Sequence, residues 1–142
     1  MNTILCALDA SDRAPLVLAT ARQLAQQSGR QLHVIRAVPP MGEVPFRELS
    51  VTLGQLTDLV IKESRAQLEA QVVDVPKAML AGTHVEVGTP WRVICELGKK
   101  LNVDLIVMGA HGYSAVDRAL GTMASAVINH ADRDVYVVRQ RP

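Results

Sequence analysis

The sequence predicts an α/β fold, an open parallel sheet covered by helices on both faces. Short apolar runs alternate with segments of helical period in the order β-α-β-α-β-α-β-α-β. One run, Asp104-Leu-Ile-Val-Met108, is almost continuously apolar, as expected of a parallel strand buried on both sides. Hydrophobic residues make up 49% of the chain but aromatics only 3%, so the core rests on Leu, Val, Ile and Ala, which suit tight helix-on-sheet layers.

Thr3 to Leu8 is the first strand, stopping at Asp9. Ser11 and Asp12 offer cap oxygens for a helix that tolerates Pro15 in its first turn. Val17, Ala21, Leu24 and Ser28 keep helical spacing and Gly29 ends the helix. Leu32 to Val38 is the second strand, closed by Pro39-Pro40; this βαβ unit implies parallel pairing. Residues 39–47, rich in proline, read as a surface loop. Leu49, Leu53, Leu56, Val60, Leu68 and Val72 trace the face of a long second helix, which Gly54 weakens. Val73 to Ala81 is irregular around Pro76, and Thr83 to Val87 alternates as a third strand. Gly88-Thr89-Pro90 then joins strand to helix, with Thr89 as cap and Pro90 as the first helical residue. Val93 or Ile94, Leu97 and Leu101 face the core, and Asp104–Met108 follows as the fourth strand. After a glycine-punctuated loop over 109–121, Ala124, Val127, Ile128 and Ala131 mark a last short helix, and Asp134–Arg139 the final strand.

The 142 residues fit one domain over 1–142, with no boundary, repeat or low-complexity segment. A domain of that size buries roughly 70% of the surface its unfolded chain exposes, so it needs no covalent staples. Net charge is +1 and the basic residues are scattered, which leaves no footprint for nucleic acid or an anionic membrane surface. The two cysteines, Cys6 and Cys95, have no metal-ligand spacing and read as reduced, buried thiols. The N-terminus enters a strand without a basic lead-in, and no apolar stretch reaches membrane-spanning length. Together these features predict a cytoplasmic protein.

The chemistry concentrates in Met108-Gly109-Ala110-His111-Gly112 through Gly121-Thr122-Met123, which runs from the carboxyl end of a buried strand to a helix N-terminus. Open α/β sheets bind ligands outside those strand ends, and a helix N-terminus offers unpaired amides and partial positive charge to a phosphate. Glycine at 109 and 112 permits backbone angles or approaches that a Cβ would block, and Gly121 lets an anion sit against the main chain. Thr122 either caps the helix or gives its hydroxyl to a phosphate oxygen. Each bond to a charged oxygen contributes about 1.5–3 kcal/mol, enough with base burial for micromolar binding. A plain glycine turn is the alternative reading.

Gly109-x-x-Gly112 followed by Gly121-Thr122 resembles the glycine signature of the universal stress protein family. Ala7-Leu8-Asp9-Ala10-Ser11, Gly88-Thr89-Pro90 and the run Asp104–Gly112 are similar to that family's first turn, third-strand exit and fourth strand, so the resemblance spans the chain. It implies a Rossmann-like, five-stranded parallel sheet ordered 3-2-1-4-5, of the adenine nucleotide alpha hydrolase-like type. Carried over residue by residue, it implies nucleotide contacts at Ala7, Leu8 and Asp9, with Asp9 on the ribose or adenine, and at Ala37, lining the adenine pocket. It also implies Met108, Gly109, His111 and Gly112 beside ribose and phosphates, and Gly121, Thr122 and the Met123 amide as phosphate holders. ATP is the implied ligand, with Mg2+ or Mn2+ bridging its phosphates. Between Gly112 and Gly121 the chain is one residue shorter than the family spacing. The deletion either falls harmlessly in Tyr113–Leu120 or moves Gly121 by up to about 3.5 Å.

Other residues carry weaker signals. The histidines at 33, 84, 111 and 130 are too scattered to suggest a shared metal site. Neither Ser11 nor Ser114 sits in a Gly-x-Ser-x-Gly elbow, and both a Walker Gly-Lys-Ser/Thr and a His-x-Gly-His signature are absent. No catalytic residue is therefore assigned; slow ATP hydrolysis or autophosphorylation is the most the chain suggests. Trp91 reads as half-buried packing. In the implied strand order Val135–Val138 is an apolar edge, which the resemblance makes a homodimer contact. The expected function is an ATP-binding stress-response sensor or regulator. The alternatives are a nucleotide-free dimeric interaction module of the same fold and a hydrolase using the same loop.

Overall fold

A computed structural model describes residues 2–40, 53–111 and 120–140. In chain order the elements are β1 (Thr3–Ala7), α1 (Ala14–Ser28), β2 (Gln31–Val38), α2 (Leu53–Gln71) and β3 (Leu80–Val87). They continue with α3 (Pro90–Lys100), β4 (Leu105–Gly109), α4 (Thr122–His130) and β5 (Asp134–Val138). The five strands form one sheet in the order β3-β2-β1-β4-β5, and every pairing is parallel. Strands β1 and β4 are thus neighbours, with Ile4 opposite Leu105 and Cys6 opposite Val107.

Side chains alternate across each strand, which divides the core between the two faces. Ile4, Cys6, Leu32 and Val34 pack with Val17 and Ala21 of α1 and Leu68 of α2. Leu5, Ile35 and Ile106 pack on the other face with Ile94 and Leu97 of α3 and Val127 of α4. Each fully buried Leu or Ile contributes about 1.5–3 kcal/mol. This two-faced burial explains why β4 reads as a continuous apolar run, with Ile106, Val107 and Met108 all fully buried.

The local signals were realised unevenly. Gly29 ends α1 in the left-handed conformation, φ 68°, and Arg30 N–H reaches back to the Ala25 carbonyl. Thr89 stands at the N-cap of α3 with Pro90 next, but its side chain makes no cap bond. The Ser11-Asp12 cap is corrected: the N-cap of α1 is Arg13, and the upstream oxygens fold a turn instead. Strand β3 starts earlier than its alternation suggests, because the register slips between Leu32 and His33 and takes Leu80 out of phase with Thr83–Val87. Ile128, expected in the core, is 44% exposed. Leu49 and the loop beyond Pro40 lie outside the described residues.

Cys6 is buried, and desolvation pushes its thiol up to about 12. Cys95 is only half-buried; its thiol is raised too, first by burial and then by Asp132 and Glu96. Both shifts disfavour the thiolate, the reactive form of the side chain. Trp91 is half-buried, with the His130 ring 4.2 Å away and the Arg92 guanidinium 5.4 Å from its centre, consistent with packing.

On the sheet face that carries Ile35, His33 Nδ1 and His84 Nε2 lie 3.1 Å apart. A hydrogen bond there needs one unprotonated nitrogen. Burial is the main force holding both imidazoles below 6.5; at His84 the positive His33, Arg65 and Lys100 add to it and Glu86 opposes it. A histidine whose folded pKa is depressed contributes stability that is present above its unfolded value and lost as pH falls through the folded one. The melting temperature should therefore drop as the pH is taken from about 7.5 to about 5, and less steeply in His84→Asn. Equal slopes in thermal melts of the two proteins would refute this origin.

Candidate functional site

The crevice forms where β1 and β4 end side by side. From β1 the chain turns into α1 on one face; from β4 it leads to α4 on the other. Such a divergence leaves an opening beyond the strand ends.

On the β1 side, Asp9 Oδ1 accepts the Ser11 amide at 2.9 Å and the Ser11 hydroxyl at 2.6 Å. This Asx turn explains why a short polar side chain follows the strand directly. Leu8 is buried, and its amide donates to the Ile35 carbonyl at 3.0 Å. Ala7 is half-buried at the end of β1. Across from them Ala37 stands half-buried near the end of β2.

On the β4 side, Met108 is fully buried, and its side chain packs in the core with Leu5, Ile35 and Ile106. Gly109 ends the strand, and a Cβ built on it would only touch Val17 Cγ2 at 3.4 Å and the His111 carbonyl at 3.6 Å. The protein alone does not demand glycine there, contrary to the expectation that a Cβ would be blocked. Ala110 N–H is anchored on the Val138 carbonyl at 2.9 Å, and half-buried His111 follows.

The last helix is drawn back to this strand end. Gly121 N–H donates to the Ala110 carbonyl at 2.8 Å. A Cβ on Gly121 would stand 3.1 Å from that oxygen and 3.4 Å from the His111 Cα. Glycine at 121 is therefore favoured by close backbone approach, not by an unusual angle, since its φ is −64°. Gly121 is also the N-cap of α4 and provides no side-chain bond, which removes the reading of Thr122 as a cap. The first helical bond is Ser125 N–H to the Gly121 carbonyl at 3.0 Å. The amides of Thr122, Met123 and Ala124 precede it and have no carbonyl within the helix to receive them. Thr122 is exposed and Met123 half-buried.

The structure thus brings Asp9, Met108, Gly109, His111, Gly121 and the opening turn of α4 to one end of the sheet. Gly112, and the place where the loop is one residue short, lie outside the described residues. Among the described residues no three His, Cys, Asp or Glu side chains gather as a metal site.

Sequence reasoning missed a polar cluster beside Asp9. Arg36 is 8% exposed and donates to the Leu8 carbonyl at 3.0 Å, to Gln67 Oε1 at 3.1 Å and to Gln71 Oε1 at 3.0 Å. Gln71 Nε2 in turn donates to the Asp9 carbonyl at 2.9 Å. Two signals were available: an arginine in register with Leu32, Val34 and Val38, and two glutamines four apart on α2.

Comparison with known proteins agrees with this geometry. The model of the "Universal stress protein family" matches residues 1–139. "Universal stress protein A homolog 1" of Coxiella burnetii is 28% identical, over 95% of this chain and 94% of that protein. The structure of "Universal stress protein UspA from Lactobacillus plantarum" superposes with a TM-score of 0.80 at 27% identity, covering 97% of each chain. That of a universal stress protein from Archaeoglobus fulgidus, solved in complex with dAMP, gives 0.69 at 25% identity over 96% of each chain. With sheet order, strand-end glycines and whole-length match in agreement, the chain belongs to the universal stress protein family.

Proposed function

We propose that the protein binds an adenine nucleotide, ATP, at the β1–β4 crevice and acts in the cytoplasm as a stress-response sensor or regulator. The observation that carries this reading is the tie between Gly121 and Ala110, which sets the opening turn of α4 against the exit of β4. There the Thr122 and Met123 amides and the Thr122 hydroxyl receive phosphate oxygens, favoured by the helix dipole. Gly109, His111 and Gly112 border the ribose and phosphates, with the Met108 main chain beneath. Ala7, Leu8 and Asp9 form the opposite wall, with Asp9 on the ribose or base. The relative bound to dAMP supports an adenine nucleotide as the ligand class. The reading includes a Mg2+ or Mn2+ ion, which would offset the charge of the phosphates. No general base is assigned, so the reading includes at most slow hydrolysis or autophosphorylation.

The protein further acts as a homodimer through β5, an edge strand whose Tyr136 is 44% exposed. No helix among the described residues is long and apolar enough to cross a membrane. A nucleotide-free dimeric module of the same fold is the second reading. It draws on the Gly121 amide, which is already bonded to Ala110 and unavailable to a phosphate. Calorimetric titration with ATP, AMP and cyclic AMP, with and without Mg2+, separates the two. The first reading expects ATP to bind with a dissociation constant on the order of micromolar; no heat from any of the three would leave the second.

A further inference from the structure

Arg36 is a costly residue to bury, since a guanidinium leaves water only where its N–H groups find partners. Among the described residues its hydrogen-bond partners are all neutral: the Leu8 carbonyl and the side-chain oxygens of Gln67 and Gln71. The cluster has one consistent orientation. A guanidinium only donates and a main-chain carbonyl only accepts, so Gln71 must turn Oε1 to Arg36 and Nε2 to Asp9. An amide of α2 is thereby fixed between β2 and the turn after β1.

The Leu8 carbonyl shows what this cluster achieves. Ala7 pairs with Ile35, and Leu8 N–H bonds the Ile35 carbonyl, so the main-chain groups of Ile35 face β1. Those of Val38 face β3, because its carbonyl accepts Gly88 N–H. Two residues on from Ile35, the main chain of Ala37 must face β1 again. A continued parallel ladder would pass the Leu8 carbonyl to Ala37 N–H. Arg36 Nε takes that carbonyl at 3.0 Å, and no hydrogen bond joins Ala37 N–H to it. The two strands therefore part at Leu8, and Ala37 turns a donor and an acceptor toward the opening. Adenine presents an acceptor beside an amino donor on its N7 edge, whereas guanine presents two acceptors there.

We propose that Arg36 is a positioning residue of the nucleotide site: it withholds the Leu8 carbonyl from Ala37, leaving the Ala37 main chain to read the base, and through Gln71 it couples this fork to α2. The inference rests on the nucleotide reading above. Gln71 is the second member of the device, because among the described residues it alone bonds both Arg36 and the Asp9 carbonyl.

The test compares the full-length protein with Arg36→Met and Gln71→Leu. Ala37 amide exchange is followed by NMR without ligand, and ATP, GTP and inorganic triphosphate are titrated. In Arg36→Met the freed Leu8 carbonyl captures the Ala37 amide and slows its exchange. ATP affinity falls about tenfold, the worth of one good hydrogen bond, toward that of GTP. Triphosphate affinity stays unchanged, which a general loosening of the fold would not allow. Gln71→Leu shifts the ATP-to-GTP ratio in the same direction by a smaller factor. Should Arg36→Met fail to fold, Arg36→Lys serves in its place: it keeps the charge, but its donors sit on one nitrogen and cannot span the acceptors that Nε, Nη1 and Nη2 reach separately, so the ratio still falls. A wild-type ATP-to-GTP ratio and wild-type Ala37 exchange in the folded variants overturn this inference alone. Failure of the wild-type protein to take up any nucleotide overturns the nucleotide reading and this inference with it.

Discussion

Gly121→Val should weaken nucleotide binding strongly while leaving a folded protein. The Cβ alone would stand 3.1 Å from the Ala110 oxygen and 3.4 Å from the His111 Cα, both main-chain atoms with little freedom to yield. The valine methyls add bulk at the same place, and overpacking of this kind costs about 1–3 kcal/mol. Relief comes most readily by moving α4 away from β4, stretching the 2.8 Å bond from Gly121 to Ala110. The Thr122 and Met123 amides move with the helix and leave the phosphates. ATP affinity should fall by on the order of a hundredfold, the loss of about two charge-assisted bonds. Gly109→Ala provides the contrast. Its Cβ meets only the Val17 side chain and the His111 carbonyl at ordinary contact distances, so thermal stability should be nearly unchanged. Any loss of ATP affinity in that variant then reports contact with the ligand. Calorimetry and thermal melts on both variants check the pair, and undiminished ATP binding by Gly121→Val would show that α4 does not hold the phosphates.

Gly88→Ala should be the most destabilising single-methyl addition at any described glycine. Gly88 leaves β3 with φ +155°, a conformation that L side chains rarely adopt, and its Cβ would lie 2.7 Å from Val93 Cγ1. Val93 sits on the first turns of α3, where a β-branched side chain has one favoured rotamer and cannot swing aside. Strained backbone of this kind costs about 1–3 kcal/mol, and the clash adds to it. For a chain of this size the melting temperature should drop by about 5–10 °C. The double variant Gly88→Ala/Val93→Ala removes the clash but not the strain, so it should recover only part of the loss attributable to Gly88→Ala. A melting temperature unchanged in Gly88→Ala would mean that the β3–α3 junction relaxes freely.

Most of the architecture was readable before any coordinates, because each element has a local cause. The prolines that close β2, continuous burial in β4, helical spacing in α1 and the glycine after Ser28 all act within a few residues. The features that escaped depend on partners distant in sequence. The slipped register that sets the start of β3 exists only once β2 and β3 pair. Ser11 looked like a cap, but Asp9 competes for its amide and hydroxyl and turns the chain before the helix begins. The exposure of Ile128 follows from how α4 lies on the sheet, which its own period does not determine. At the candidate site, strand-end glycines were legible because a close approach leaves a residue-type signature, as Gly121 shows. The Arg36 cluster was not, since it joins β2, α2 and the turn after β1.

The sheet order also bears on how the chain leaves the ribosome. Strand β1 is made first, yet one of its two neighbours, β4, begins only at Leu105. The segment from β1 to β3 can assemble early, but it does so with one side of a very apolar strand, Thr-Ile-Leu-Cys-Ala, unpaired. An open strand of that composition can recruit another nascent chain until the second half arrives. Newly made protein therefore passes through an interval of vulnerability that finished protein never revisits, and its length is set by the speed of translation rather than by the stability of the native state.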